Sequence, residues 1–116
     1  MEATAAGLTS LDLGGCRKLG DATARAIRES CPGLRELKMR GLSRVTATGV
    51  QSLALGCTRL EKADLSNCAA VRSAAPLAYL LAACPGMRSL SVGRTVPQGE
   101  VRALAARFAG VAIKNW

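Results

Sequence analysis

An α/β repeat array, four strand-and-helix units followed by a fifth strand, is the fold that three observations in this sequence predict. The first is internal periodicity. A shift of 26 residues places Leu8 on Leu34, Leu11 on Leu37, Leu13 on Met39, Leu19 on Val45, Ile27 on Leu53 and Cys31 on Cys57. A further shift of 27, its extra residue falling near Pro76, sets Cys57 on Cys84, Leu60 on Met87, Ala63 on Leu90 and Leu65 on Val92. The second is the opening of each unit on Leu-x-x-Leu-x-Leu or its equivalent, whose alternation suits a short half-buried strand. The third is the change to helical spacing in the second half of each unit, as with Val50, Leu53 and Ala54. One unit cannot bury its own apolar face, so the units must stack.

A period of 26 or 27 residues lies within the span of about 20 to 29 that marks leucine-rich repeats. The expected architecture is a right-handed leucine-rich-repeat solenoid, because crossovers between parallel strands nearly always take that hand. About five parallel strands would line the concave face and four helices the convex face. At 116 residues the chain reads as a single domain, 1–116. Its repeats fall at about 8–33, 34–59, 60–86 and 87–110, with a partial repeat at 111–116.

In chain order, residues 1–7 resemble the end of a helix, since Ala5-Ala6-Gly7-Leu8 aligns with Cys31-Pro32-Gly33-Leu34. The first strand is expected over 9–13 and its helix over 21–30; the second strand over 35–39 and its helix over 47–55, with Thr46 as cap. The third strand is expected over 61–65. Its helix, near 74–83, carries Pro76, which is tolerable only in the first turn. A fourth strand over 88–92 leads through the shortened loop 93–96 to a helix over 99–108. Val111, Ile113 and Trp116 then offer the apolar side of a fifth strand. No polar capping repeat follows, so the ends are expected to be covered by a neighbouring chain or missing repeats, or lidded by Trp116 and the residues before Leu8.

Leu8, Leu11, Leu13, Cys16 and Leu19, followed by a helix ending at Cys31-Pro32, resemble the cysteine-containing leucine-rich repeats of F-box proteins in ubiquitin ligases. The resemblance covers nearly the whole chain. One cysteine column is Cys16, Leu42 and Cys68; the other is Cys31, Cys57 and Cys84, with Phe108 continuing it. Of the family's Thr-Asp or Ser-Asp helix openings, Thr46 and Ser73 remain, while Gly20 and Pro97 take the other two places. The resemblance implies a protein-protein interaction module, the substrate-recognition part of an F-box/LRR ubiquitin-ligase receptor or a relative of one. With no F-box among these residues, the adaptor-binding part would lie elsewhere.

Composition narrows the chemistry. The chain has no histidine, no Cys-x-x-Cys pair, no glycine-rich phosphate loop and no nucleophile elbow, so no catalytic, cofactor-binding or metal-ligating residue is expected and the chain does not read as an enzyme. Aromatic residues make up 3%, leaving Leu, Val, Ala and Cys to fill the core. Five cysteines, an odd number, stand at homologous positions and read as reduced, buried thiols. There is no signal-like amino terminus, and the most apolar stretch, Ala74 to Cys84, is too short to span a bilayer. A cytoplasmic or nuclear location follows, not secretion.

Two surfaces can bind. On the concave face the strand positions flanking the apolar ones form two columns, Ser10, Glu36, Lys62, Ser89 and Asp12, Lys38, Asp64, Ser91. Asp12, Glu36, Lys38, Lys62 and Asp64 alternate in sign across strands roughly 4.8 Å apart, which stabilises the ladder and is open to a partner. The strand-to-helix loops 14–20, 40–46, 66–72 and 93–99 instead carry Arg17, Lys18, Arg40, Arg44, Arg72 and Arg94 and no acidic residue. This basic lip gathers most of a net charge of +8 and points to an acidic protein partner. The alternative is a small basic subunit of a large assembly, meeting RNA phosphate or acidic protein surfaces. Against RNA stands the single Trp, Tyr and Phe, all at apolar repeat positions, where they are not free to stack on bases.

Overall fold

The computed structural model describes residues 7–115. Strand and helix alternate as β1 (Ser10–Asp12), α1 (Asp21–Ser30), β2 (Glu36–Lys38), α2 (Ala47–Gly56), β3 (Lys62–Leu65), α3 (Ala75–Ala83), β4 (Ser89–Val92), α4 (Gln98–Arg107) and β5 (Ala112–Asn115). All five strands are parallel and lie side by side in chain order. One apolar row crosses the whole sheet, Leu11, Leu37, Ala63, Leu90 and Ile113. Packing of α1 on α2 and of α2 on α3 sets these helices side by side as a second layer. The fold is α/β, with four helices and a five-stranded parallel sheet.

The helix ends show how local sequence sets the period. At all four C-termini the capping residue occupies the homologous position, Cys31, Cys57, Cys84 and Phe108, and its N–H donates to the carbonyl four residues back. The N-termini vary. Thr46 caps α2 by accepting from the Thr48 N–H at 3.2 Å. Gly20 precedes α1 and Pro97 precedes α4, as the alignment of repeats places them. At α3 the expectation for Ser73 fails: the capping position is Ala74, and Ser73 is exposed. Ala74 has no side-chain acceptor to offer, and its own N–H is met from the next unit, donating to Glu100 Oε1 at 2.9 Å. Pro76 sits in the first turn, where no helical hydrogen bond is lost.

Between the layers lies a core of small and branched side chains. Ile27, Leu34, Leu37, Met39, Leu53, Leu60, Leu80 and Leu90 are among its fully buried members. The loops stack with the strands, Gly15 N–H donating to the Arg40 carbonyl at 3.0 Å and Gly41 N–H to the Ser66 carbonyl at 2.9 Å. Gly93 marks a close approach of two loops, since a Cβ there would lie 2.5 Å from the Asn67 nitrogen. Ser91, expected on the open face, is buried. Tyr79 departs from its expected apolar role and is 48% exposed on α3, while Phe108 is half-buried with the Arg107 guanidinium 5.2 Å from its ring centre. The roles expected for residues 1–6 and Trp116 fall outside the described residues.

The cysteines are all free, and four are buried: Cys31, Cys57, Cys68 and Cys84. Two of them bond to a neighbouring unit, Cys84 Sγ donating to the Cys57 carbonyl at 3.2 Å and Cys68 Sγ to the Met39 carbonyl at 3.1 Å. Cys16 corrects the expectation of a wholly buried set. It stands in the first loop, with no earlier described unit against it, and is exposed. Burial, reinforced by neighbouring Cys31 and Cys84, pushes the Cys57 thiol up to about 12, and burial pushes Cys84 to about 11. A thiol reagent near neutral pH should therefore modify Cys16 at once and the other four only as the chain opens. Rapid modification of a second site in the native protein, read by mass spectrometry, would show that the interior column is not closed.

Candidate partner-binding surface

The register of the sheet places the predicted columns as read from sequence: Ser10, Glu36, Lys62 and Ser89 in one row, Asp12, Lys38, Asp64 and Ser91 in the next. Lys38, Lys62 and Asp12 are exposed, Glu36 and Asp64 half-buried. Only one of the two rows forms an ion pair. Lys62 Nζ lies 3.7 Å from Glu36 Oε1, both side chains open to solvent in good part, a geometry that contributes no more than about 1 kcal/mol. In the other row the carboxylates turn away from Lys38. Asp12 Oδ1 accepts the Gly14 N–H at 2.9 Å, and Asp64 Oδ1 accepts the Ser66 N–H at 2.9 Å and its hydroxyl at 2.5 Å. Short side chains at strand exits reach their own turn more easily than a neighbouring ammonium. A shallow groove of 140 Å³ across this face is lined by Glu36, Lys38, Lys62, Asp64, Ser89 and Ser91 among others.

Arg17, Lys18, Arg40, Arg44, Arg72 and Arg94 are all exposed on the strand-to-helix loops, in differing local settings. Arg17 and Arg40 line a common cleft, together with Gly15, Gly41, Ser43 and Asn67. Arg72 bends back, its Nε donating to the Ala69 carbonyl of its own loop at 3.3 Å. Arg44 flanks the close approach of Gly20, with which it forms an isolated parallel bridge. Lys18 and Arg94 take part in neither arrangement. Among the described residues no ion pair reaches any of the six, so the loops keep their charge.

A second charged rim, at the amino-terminal ends of the strands, escaped the sequence reading. Arg35, Thr58, Arg59, Glu61, Gly86 and Arg88 line an open groove there, with Arg35 Nε 3.7 Å from Glu61 Oε2. Its signal was present, because Arg35, Glu61 and Arg88 follow the same repeat spacing. These residues lie one place outside the apolar alternation that marks the strand columns. Its mixed signs make it a weaker anion trap than the loops. Among the described residues no group of three or more His, Cys, Asp or Glu could hold a metal ion. No helix among them is long and apolar enough to cross a membrane.

With this geometry in place the chain can be compared with known proteins. No family model matches it. It is 32% identical over 104 residues to a Bos taurus protein named F-box/LRR-repeat protein 4. The match takes in 85% of this chain and 17% of that protein, so the chain corresponds to a minor part of its relative's length. The similarity thus joins an α/β chain of repeated strand and helix to a protein whose name carries both an F-box and leucine-rich repeats.

Proposed function

We propose that the chain is a leucine-rich-repeat solenoid, with units at about 8–33, 34–59, 60–86 and 87–110 and a further strand beyond, that works as a protein-protein interaction module. It is the substrate-recognition part of an F-box/LRR ubiquitin-ligase receptor or a relative of one. It acts by holding another polypeptide, not by catalysis, in the cytoplasm or nucleus. The observation that carries this reading is the row of strand-to-helix loops bearing six exposed cations and no carboxylate. In contrast, the sheet face holds three acidic residues and, with Lys114 of β5, three basic ones, which cancel. Similarity to a protein named for leucine-rich repeats supports the same class of function, and buried free thiols suit a reducing compartment.

The partner is accordingly an acidic protein surface. Changing Arg17, Lys18 and Arg44 together to glutamate should leave the circular dichroism nearly unaltered, since exposed loop changes cost under about 0.5 kcal/mol each. Capture of the partner co-purified from the native source should weaken by tens of fold. Changing Lys38 and Lys62 to glutamate, beside Asp12, Glu36 and Asp64, should instead lower stability by about 1 kcal/mol with less effect on capture. If the loop variant binds normally while the sheet variant stays folded and loses its partner, the docking edge is the sheet face. Loss of binding to a structured RNA but not to protein would favour the ribonucleoprotein alternative.

A further inference from the structure

The helical layer withholds charge where a solvated surface would carry it. Neither α2 nor α3 has a charged residue, in a chain whose net charge is +8. In α3 the buried side is Pro76, Leu77, Leu80 and Leu81. The side toward solvent is apolar as well, since Ala75, Tyr79 and Ala82 follow at helical spacing and are all exposed. A helix that is apolar all round belongs in an interior. Among the described residues the exposed large apolar side chains are Tyr79, at 48%, and Leu55, at 61%. Leu55 stands at the place in α2 that Ala82 holds in α3, so both belong to the same outer face.

Beside this face the layer is open. α1 packs on α2 and α2 on α3, but α4 does not close on α3 in the same way. A groove of 220 Å³ lies between them, walled by Ala75 and Ala78 on one side and by Ala103 and Leu104 on the other, with Glu100 and Arg107 along its length. Glu100, Ala103, Leu104 and Arg107 recur at the three- and four-residue intervals that form the ridge one helix offers to another, over about 10 Å of axis. The charges along the groove are not equivalent. Glu100 is committed to α3, accepting the Ala74 N–H at 2.9 Å. Arg107, in the last turn of α4, is exposed, as is Arg102, and among the described residues no ion pair reaches either.

An apolar recess with unneutralised cations at one end selects its occupant. A helix running antiparallel to α3 and α4 places its own first turn beside Arg107, and that turn is where its dipole favours carboxylates. A second copy of this chain fits poorly, because it brings a further net charge of +8 against the same arginines. A bilayer surface fits poorly too, since it takes up protruding Leu, Phe and Trp side chains and not a recess walled by methyl groups.

We propose that the groove between α3 and α4 docks an amphipathic helix of a partner polypeptide, antiparallel to both, with its apolar stripe against Ala78, Ala103 and Leu104 and its acidic first turn at Arg107. This surface lies on the helical layer and is independent of the strand-to-helix loops, so the chain can hold two polypeptides at once.

The test is an NMR titration of the intact chain with a stapled helical peptide of about four turns, bearing Ala and Leu along one stripe and glutamates in its first turn. Saturable shifts are expected at the amides of Ala78, Tyr79, Ala103 and Leu104. Ala75 and Ala103 are both exposed, so A75Q/A103Q obstructs the groove without entering the core and should weaken binding at least about tenfold. R102E/R107E should weaken it by about tenfold. R17E/K18E/R44E should bind the peptide as the parent does, so failure of the loop edge and failure of the groove are read on separate variants. The proposal is overturned if no site saturates, if A75Q/A103Q binds as well, or if a peptide with the same glutamates in its last turn binds as tightly. Self-association in sedimentation that A75Q/A103Q abolishes would make the occupant a second copy. Binding to phosphatidylglycerol vesicles that Tyr79→Ser abolishes would make it a lipid surface, and either result overturns the helix.

Discussion

Replacing Leu53 by alanine should lower the unfolding free energy by about 3 kcal/mol, whereas the same change at Leu55 on the same helix should stay within about 0.5 kcal/mol. Leu53 is fully buried in α2, the helix packed on both α1 and α3, while Leu55 is 61% exposed. Its removal opens a cavity between layers whose backbones are tied by the sheet ladder, so the site cannot collapse to refill it. The loss falls on the neighbouring helices too, because α2 packs on both α1 and α3. For a chain of this size about 3 kcal/mol corresponds to a fall in melting temperature of at least about 12 °C. Thermal unfolding of the two variants checks the contrast. Equal effects at Leu53 and Leu55 would mean that α2 is rotated from the orientation described.

That contrast also shows which features the sequence makes legible. Because Leu-x-x-Leu-x-Leu recurs at a fixed spacing, aligning the units amounts to aligning the strands, and the sheet register follows residue for residue. The C-terminal caps were legible for the same reason, since Cys31, Cys57, Cys84 and Phe108 occupy one place in the period. Periodicity says less where a unit lacks a neighbour or where a polar group has two partners to choose from. Cys16 and Cys68 are equivalent in sequence, yet only Cys68 has a described unit packed before it. Asp12 and Asp64 are opposite Lys38 in the ladder, yet both prefer backbone N–H groups of their own turns. The six loop cations were visible as a class, but their division was not: left-handed turns at Gly15, Gly41 and Asn67 bring Arg17 and Arg40 onto one cleft.

The bonds between units had the least sequence signal. Asp21, at the start of α1, reaches forward to Thr46 and meets both its backbone N–H, at 2.7 Å, and its hydroxyl, at 2.5 Å. Glu100, in the first turn of α4, reaches back to Ala74. In both cases an acidic residue read alone as a favourable charge at a helix N-terminus serves the helix of an adjacent unit. Such bonds fix the spacing of the helices, and through it the spacing of the loops that carry the cations.

Changing Gly49 to alanine should therefore destabilise the protein, by about 2 kcal/mol, although the same change in an ordinary helix stabilises by about 1 kcal/mol. Gly49 is buried in the first turns of α2, and a Cβ there would overlap Asp21 Oδ1 while coming 3.2 Å from Val45 Cγ1. The carboxylate cannot retreat without releasing the two hydrogen bonds from Thr46, each worth about 1.5 to 3 kcal/mol when one partner is charged. Asp21→Ala alone should cost about 2 kcal/mol by leaving the Thr46 N–H without its acceptor. In the double variant the added methyl group finds the space vacated by the carboxylate, and the helical preference of alanine returns. The double variant should be no less stable than Asp21→Ala, a coupling of at least about 2 kcal/mol between positions on different helices. Urea denaturation of the four proteins measures it. Additive losses, or a Gly49→Ala protein more stable than the parent, would show that Asp21 does not hold the two helices in register.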